Sequence, residues 1–153
     1  EGVAFDLIYS YSVFTHLSEP NHLAWLAELA RALAPGGVMA HTVHSCAYLR
    51  RAAMFSPEAL EKYRFPAPVE AMLLAGPAYY YIADNPATPE YGHTIIRKEY
   101  VLKRWPHASG LEVVEYAEGA IEAYPEGCQD LVLLEKCQTL HKAREVSDTS
   151  AAR

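Results

Sequence analysis

The 153-residue sequence is short of cysteine, of basic charge and of long apolar runs. Its three cysteines, Cys46, Cys128 and Cys137, form no C-x-x-C pair. An odd count is no disulfide framework, so reduced thiols in a cytoplasmic protein are expected. Thirteen Lys and Arg stand against nineteen Asp and Glu, a formal net charge of -6. A non-specific nucleic-acid binder needs clustered cations to displace counterions, so no nucleic-acid partner is expected. No apolar run is long enough to span a bilayer, and the first residues lack the basic region and apolar core of a signal peptide. No membrane partner is expected either. Internal repeats are also missing. The remainder is ordinary globular composition, 51 % hydrophobic and 21 % charged, with length for one domain and a real core.

The chain opens with Glu1-Gly2 and enters an apolar run at once, which reads as a sequence cut inside a domain. Val3 to Tyr9 fits a strand buried on both faces, as in a parallel sheet. A helix comes next, with Ser18 as its cap, Glu19 in the first turn and Pro20 tolerated there. Leu23, Leu26, Ala27, Ala30, Leu33 and Ala34 recur at helical spacing, with Asn21, Glu28 and Arg31 opposite. Ala34-Pro35-Gly36-Gly37 is expected to stop that helix. Val38 to Val43 reads as a second strand. Strand, helix, turn and strand make a βαβ unit, the crossover that parallel strands require.

The stretch from Ser45 to Trp105 reads as less regular. A short helix is predicted from Ser56-Pro57 through Arg64. Five prolines between Pro66 and Pro89 interrupt the chain after it. Ala78 to Ala83 can be a strand, Asp84-Asn85-Pro86 a turn, and Lys98 to Trp105 a short helix. Leu111 to Tyr116 and Asp130 to Glu135 read as strands. The polar segment 138–153 is expected to be a flexible tail.

Three stretches carry a resemblance. They are Phe5-Asp6-Leu7-Ile8-Tyr9-Ser10, then Val13-Phe14-Thr15-His16-Leu17, then Leu29 to Gly37 with its R-x-L-x-P-G-G pattern. In order and spacing they resemble the fourth strand, following loop, helix and fifth strand of class I, Rossmann-like methyltransferases that use S-adenosylmethionine. Gln129 to Leu134 is similar to the closing strand of some of these enzymes. The family sheet has strand order 3-2-1-4-5-7-6 with strand 7 antiparallel. The resemblance thus implies an α/β fold in which this chain supplies strands 4, 5, 7 and 6. Residues 1–137 would be the C-terminal half of such a domain, with an irregular acceptor-side insertion at about 46–105. Strand 4 would expose an edge, through which the chain can self-associate. The glycine-rich G-x-G-x-G turn and the ribose-binding acid have no counterpart in the sequence, and no side-chain cluster replaces them. The chain alone is therefore expected to be inactive and to bind the cofactor poorly.

Ligands of open α/β sheets sit beyond the C-terminal strand ends. That rule, with the resemblance, assigns Tyr9, Ser10, Tyr11 and His16 to the cofactor, and Ser12 less firmly. The alternative is that the serines end a strand, Tyr11 packs and His16 orders a loop. His41-x-x-His44-x-Cys46 invites a metal, but residues three apart on a strand face opposite sides. Zinc needs three or four ligands, so no metal site is expected. His44 remains a candidate catalytic base. Tyr91 and His93 are candidates for binding a small-molecule acceptor, such as a sugar or secondary metabolite, against the reading that such residues pack a loop onto the sheet. Trp105 is expected to pack, and Glu58, Glu61 and Lys62 to be solvated. Two other functions compete with methyl transfer: a non-catalytic α/β interaction module, and a fragment of a nicotinamide-dependent Rossmann enzyme.

Overall fold

The structure, a computed structural model, describes residues 4–123 and 127–137. Glu1 to Val3 and the segment 138–153 expected as a tail lie outside the described residues. The elements run β1 (Phe5–Ser10), α1 (Glu19–Ala32), β2 (Leu33–Val43), α2 (Cys46–Phe55), a 3-10 helix (Pro57–Tyr63), α3 (Val69–Ala75), β3 (Tyr79–Asn85), β4 (Thr88–Ile96), α4 (Lys98–Ser109), β5 (Glu112–Ala123) and β6 (Gly127–Glu135). Four strands form a mixed sheet in the order β1-β2-β6-β5, and β3 and β4 form a separate antiparallel hairpin. β1 and β2 are parallel, while β6 runs antiparallel between β2 and β5. No helix among the described residues is long and apolar enough to cross a membrane.

The βαβ unit departs from expectation at the Pro-Gly-Gly turn. α1 ends at Ala32, and Leu33 is already extended. Phe5 pairs with Leu33 and Leu7 with Val38, so residues 34–37 loop out of the ladder as a bulge. Gly36 takes the positive φ there, at 77°, in a strand bulge rather than a helix cap. A Cβ on Gly37 would lie 2.9 Å from the Ala34 carbonyl. Lys136 stitches this corner: its backbone pairs with Gly36 and Gly37, and its ammonium donates to the Ala30 and Leu33 carbonyls at 2.8 and 2.7 Å. A cation there also suits the negative end of the helix dipole.

Among the described residues β1 is an edge strand rather than one buried on both faces. Phe5, Leu7 and Tyr9 alternate onto a face that is half or more exposed. On the other side, Met39, His41 and Val43 of β2 point into the main core with Leu26 and Ala30 of α1, Trp105 of α4, and Val132 and Leu134 of β6. The buried stripe of α1 is His22, Leu26 and Ala30. Spacing alone sets Leu23 and Ala27 on that face; Ala27 is exposed. A second cluster joins Tyr48, Leu49 and Ala52 of α2 to Leu60, Tyr63 and Ile95.

The stretch from Ser45 to Trp105 is ordered. Ser45 caps α2 by accepting from the Ala47 N–H at 3.0 Å. The helix expected at 56–64 is a 3-10 helix. Pro89 lies where the β3–β4 register shifts between Ala83 and Asn85, an irregularity of the kind at which a strand proline is tolerated. Arg97, the N-cap of α4, donates to the Met72, Leu73 and Gly76 carbonyls and so closes the C-terminus of α3. Glu58, Glu61 and Lys62 are exposed and Trp105 is fully buried, as expected.

Candidate active site

Parallel pairing of β1 and β2 brings their C-terminal ends side by side, and antiparallel β6 begins at that same end. Ser10, at the tip of β1, shares a hydrogen bond of 2.8 Å with His41 Nδ1. Ser12 has a positive φ of 57°, unusual for a residue with a Cβ. Its N–H donates to Thr42 Oγ1 at 2.8 Å, which holds the turn in that conformation. Its hydroxyl lies 3.3 Å from Thr15 Oγ1 and accepts from the Gln129 amide at 3.1 Å. So Ser10 and Ser12 are pinned to β2 and β6, while Tyr9 and Tyr11 project outward, 75 % and 53 % exposed.

The loop after β1 is sewn to the hairpin. Gly92 N–H donates to the His16 carbonyl at 3.0 Å and Thr94 N–H to the Thr15 carbonyl at 2.9 Å. Thr94 Oγ1 donates to the Leu17 carbonyl at 2.7 Å. This stitching gathers His16, Tyr91 and His93 in one place. The His16 ring stacks on Tyr91 at 4.8 Å and 8°, and meets the edge of His93 at 5.4 Å. His93 Nε2 donates to Asp84 at 2.8 Å. Burial lowers the His93 pKa, and the Asp84 carboxylate opposes that shift. Gly92 sits at the seam, where a Cβ would fall 2.0 Å from the Ile82 carbonyl oxygen. Gly92→Ala is expected to cost about 1–3 kcal/mol by overpacking and to part Tyr91 from His16. Urea unfolding reads the first effect and hydrogen exchange at Gly92 and Thr94 the second; wild-type protection at both amides would refute it.

His44 sits deeper. The Gln129 amide nitrogen, which can only donate, lies 3.4 Å from His44 Nε2. Nε2 therefore carries the lone pair, and Nδ1–H donates to Tyr63 Oη at 2.8 Å. The ring stacks on Tyr48 at 4.0 Å. Burial first, then the cationic Lys62 and the nearby His16 and His93, push its pKa down to about 3. His41 faces the opposite cluster, packed 4.6 Å from Phe14 and lowered to about 4 by burial. The two histidines thus serve separate layers, as the strand alternation requires. Spacing points to neither Gln129 nor Tyr63, because each reaches the site from a distant segment.

A nucleoside sulfonium, the cofactor that the resemblance implies, is large and polar. Beneath Tyr9 lies a groove of about 180 Å³ lined mainly by Ile8, Val13, Phe14, Leu17, Trp25 and Leu29. It offers no carboxylate for a ribose and no glycine turn for close backbone approach. The described residues alone do not enclose such a cofactor.

Residues 1–41 match the family model described as "Methyltransferase domain". No curated protein sequence matches the chain. Among solved structures, it resembles a SAM-dependent methyltransferase from Methanosarcina mazei at 12 % identity and a TM-score of 0.52, over 88 % of this chain and 60 % of that one. An O-methyltransferase family 2 protein from Planctomyces limnophilus, solved with apigenin, overlaps 88 % of this chain and 31 % of its own, at 17 % identity and a TM-score of 0.48. The chain spans less than two thirds of either structure. With the matched β1–α1–β2 unit and the mixed sheet, the chain has a fold similar to that of Rossmann-like methyltransferases.

Proposed function

We propose that this chain forms the acceptor side of an S-adenosylmethionine-dependent methyltransferase acting on a small-molecule or sugar-type acceptor, and that it does not transfer methyl groups by itself. One observation carries the reading. The tip of the matched β1–α1–β2 unit, where open α/β sheets take their ligands, is closed on one side by the hairpin residues Tyr91 and His93. When bound, the cofactor supplies a methyl group on a good leaving group, which leaves the protein positioning and proton handling. Ser10 and Ser12 are held in place by His41, Thr42 and Gln129. The chain Ser12–Gln129–His44–Tyr63 stiffens the floor between them and the hairpin. Histidine and tyrosine polar groups in such a wall suit a hydroxylated acceptor.

The missing grip on the donor supports the second part of the proposal. Calorimetric titration of the chain with S-adenosylmethionine should show no appreciable heat of binding; micromolar affinity would overturn the half-site reading. The methyltransferase reading has its own test in the encoding gene. Upstream of Glu1 it should specify a strand followed by G-x-G-x-G, with Asp or Glu about 20 residues further on. A complete gene without them would sink that reading.

A further inference from the structure

We propose that Ser12 is a specificity-determining residue of the methyl-acceptor site: its hydroxyl acts only as a donor and recognises a proton-free oxygen of the acceptor molecule, as in a carboxylate. The proposal rests on the methyltransferase reading and names the acceptor chemistry of the same site.

The first support is a count of protons. Ser12 Oγ has two lone pairs and one proton. The Gln129 amide nitrogen lies 3.1 Å from it and only donates. The same nitrogen turns its other proton to His44 Nε2 at 3.4 Å. What lies on the far side of that amide fixes its orientation. There the Gln129 carbonyl oxygen is buried with no partner. Turned over, the amide would strand two N–H donors in the same place, and orphaned N–H groups are rarer than under-satisfied C=O groups. Thr15 takes the second lone pair. It is fully buried, and Ser12 Oγ, at 3.3 Å, is the one partner of its hydroxyl among the described residues. If Ser12 donated to Thr15, the Thr15 proton would sit in the core without an acceptor. Thr15 therefore donates. Ser12 accepts twice, and its own proton is left with no acceptor among the described residues.

The second support is the backbone. The φ of 57° at Ser12 is one that glycine adopts freely and that strains a residue with a Cβ. Strain of this kind gathers where ligands are held. Thr42 Oγ1 accepts from the Ser12 N–H and fixes the turn. The hydroxyl is what serine brings to a position whose backbone favours glycine. Ser12 is partly exposed, between Tyr11 and Val13, which are 53 % and 47 % exposed. The unclaimed proton thus belongs to an accessible residue just past the C-terminal tip of β1.

The third support is the chemistry of the donor. An oxygen that accepts two hydrogen bonds donates a stronger one in turn. A carboxylate, with lone pairs and no proton, matches such a donor, and the bond it makes is charge-assisted. An ammonium, with protons and no lone pair, does not.

Titration of the chain near neutral pH with benzoate and with benzylammonium tests this without any methyl donor. Carbon-13 and nitrogen-15 NMR read the result. Benzoate should shift the Ser12 β-carbon and the Gln129 side-chain amide. Benzylammonium, of similar size and opposite hydrogen-bonding sense, should leave both unmoved at the same concentration. Equal shifts from the two, or none from benzoate, would overturn the proposal. Ser12→Gly suits the local φ and removes only the hydroxyl, so it should weaken benzoate binding by about tenfold or more. An unchanged affinity in that variant means that the hydroxyl merely holds the turn, and the proposal fails. The wild-type titrations decide the matter if the variant does not fold. Benzoate binding at Ser12 beside a complete gene without G-x-G-x-G sinks the methyltransferase reading and leaves the donor site standing. No benzoate shift in a chain whose gene carries that motif sinks this proposal alone.

Discussion

Lowering the pH from about 7.5 to about 5 is expected to remove about 6 kcal/mol of folding stability. Three histidines are folded into the interior without their charge. His22 is lowered to about 3 by burial and by the neighbouring His41, His41 to about 4 by burial, and His44 to about 3 by burial and nearby cations. The hydrogen bonds agree with that state. Tyr79 Oη donates its one proton to the Leu17 carbonyl at 2.9 Å, so His22 Nδ1–H must donate to Tyr79 at 3.0 Å. His22 Nε2 is left with a lone pair and no partner in the core. Each folded pKa is depressed from the ordinary 6.5. Their contribution is whole above that value and is lost as the pH falls towards the folded values of 3 to 4. At about pH 5 the unfolded chain binds a proton at each site and the folded one does not. That is about 1.5 units at 1.36 kcal/mol per unit, or about 2 kcal/mol per histidine. Against a domain stability of about 5–15 kcal/mol this is a large part, and at the low end the whole. Urea titrations at the two pH values measure it. His22→Phe should flatten the curve by about one histidine's share. Equal stability at both values would mean that the three rings are not buried as neutral bases.

The parts of the fold legible in the sequence are those where local signals agree with the final packing. Phe5 to Ser10, the helix after Ser18, and Asp130 to Glu135 each carry one unambiguous pattern, and each forms near its expected bounds. The misses have physical causes. Pro35-Gly36-Gly37 has helix-stop chemistry, but the pairing of Lys136 with Gly36 and Gly37 uses it as a strand bulge. β4 carries Pro89 and Gly92, both poor strand formers, and exists because β3 and the loop at Thr15 and His16 pair with it on either side. α2 has its helical spacing at Tyr48, Leu49 and Ala52, with Ser45 as cap, but the aromatic and basic residues around it hide the apolar face. The site divides the same way. His16, Tyr91 and His93 are recognisable as chemistry-bearing residues, yet 75 positions separate His16 from Tyr91 and nothing in the spacing says that their rings stack. His22 is the clearest gap: a polar residue outside the apolar pattern of α1, it is fully buried, with Tyr79 reaching across to accept from its Nδ1–H.

Trp105→Ala is expected to cost about 3–5 kcal/mol, the usual range for emptying a large aromatic site. The side chain is fully buried at the point where α4 meets α1 and the sheet. Phe14, His22 and His41 surround it with ring centroids at 5.5, 5.2 and 6.1 Å. These neighbours come from the β1 loop, α1 and β2, three separately held segments, so the site cannot collapse around the cavity without moving one of them. Trp25, 57 % exposed on the outer side of α1, provides the contrast; its alanine variant should stay within about 0.5 kcal/mol, as surface changes do. The indole N–H of Trp105 adds a second, opposite effect. It is buried without a hydrogen-bond partner, and an unsatisfied buried donor costs about 1–3 kcal/mol. Trp105→Phe removes that donor along with part of the volume, so its net cost should be well under that of the alanine variant. Urea unfolding followed by circular dichroism separates the cases. Costs rising from Trp25→Ala through Trp105→Phe to Trp105→Ala support the account. A phenylalanine variant as unstable as the alanine one would mean that the indole N–H is satisfied and that the ring's full volume holds α4 to the sheet.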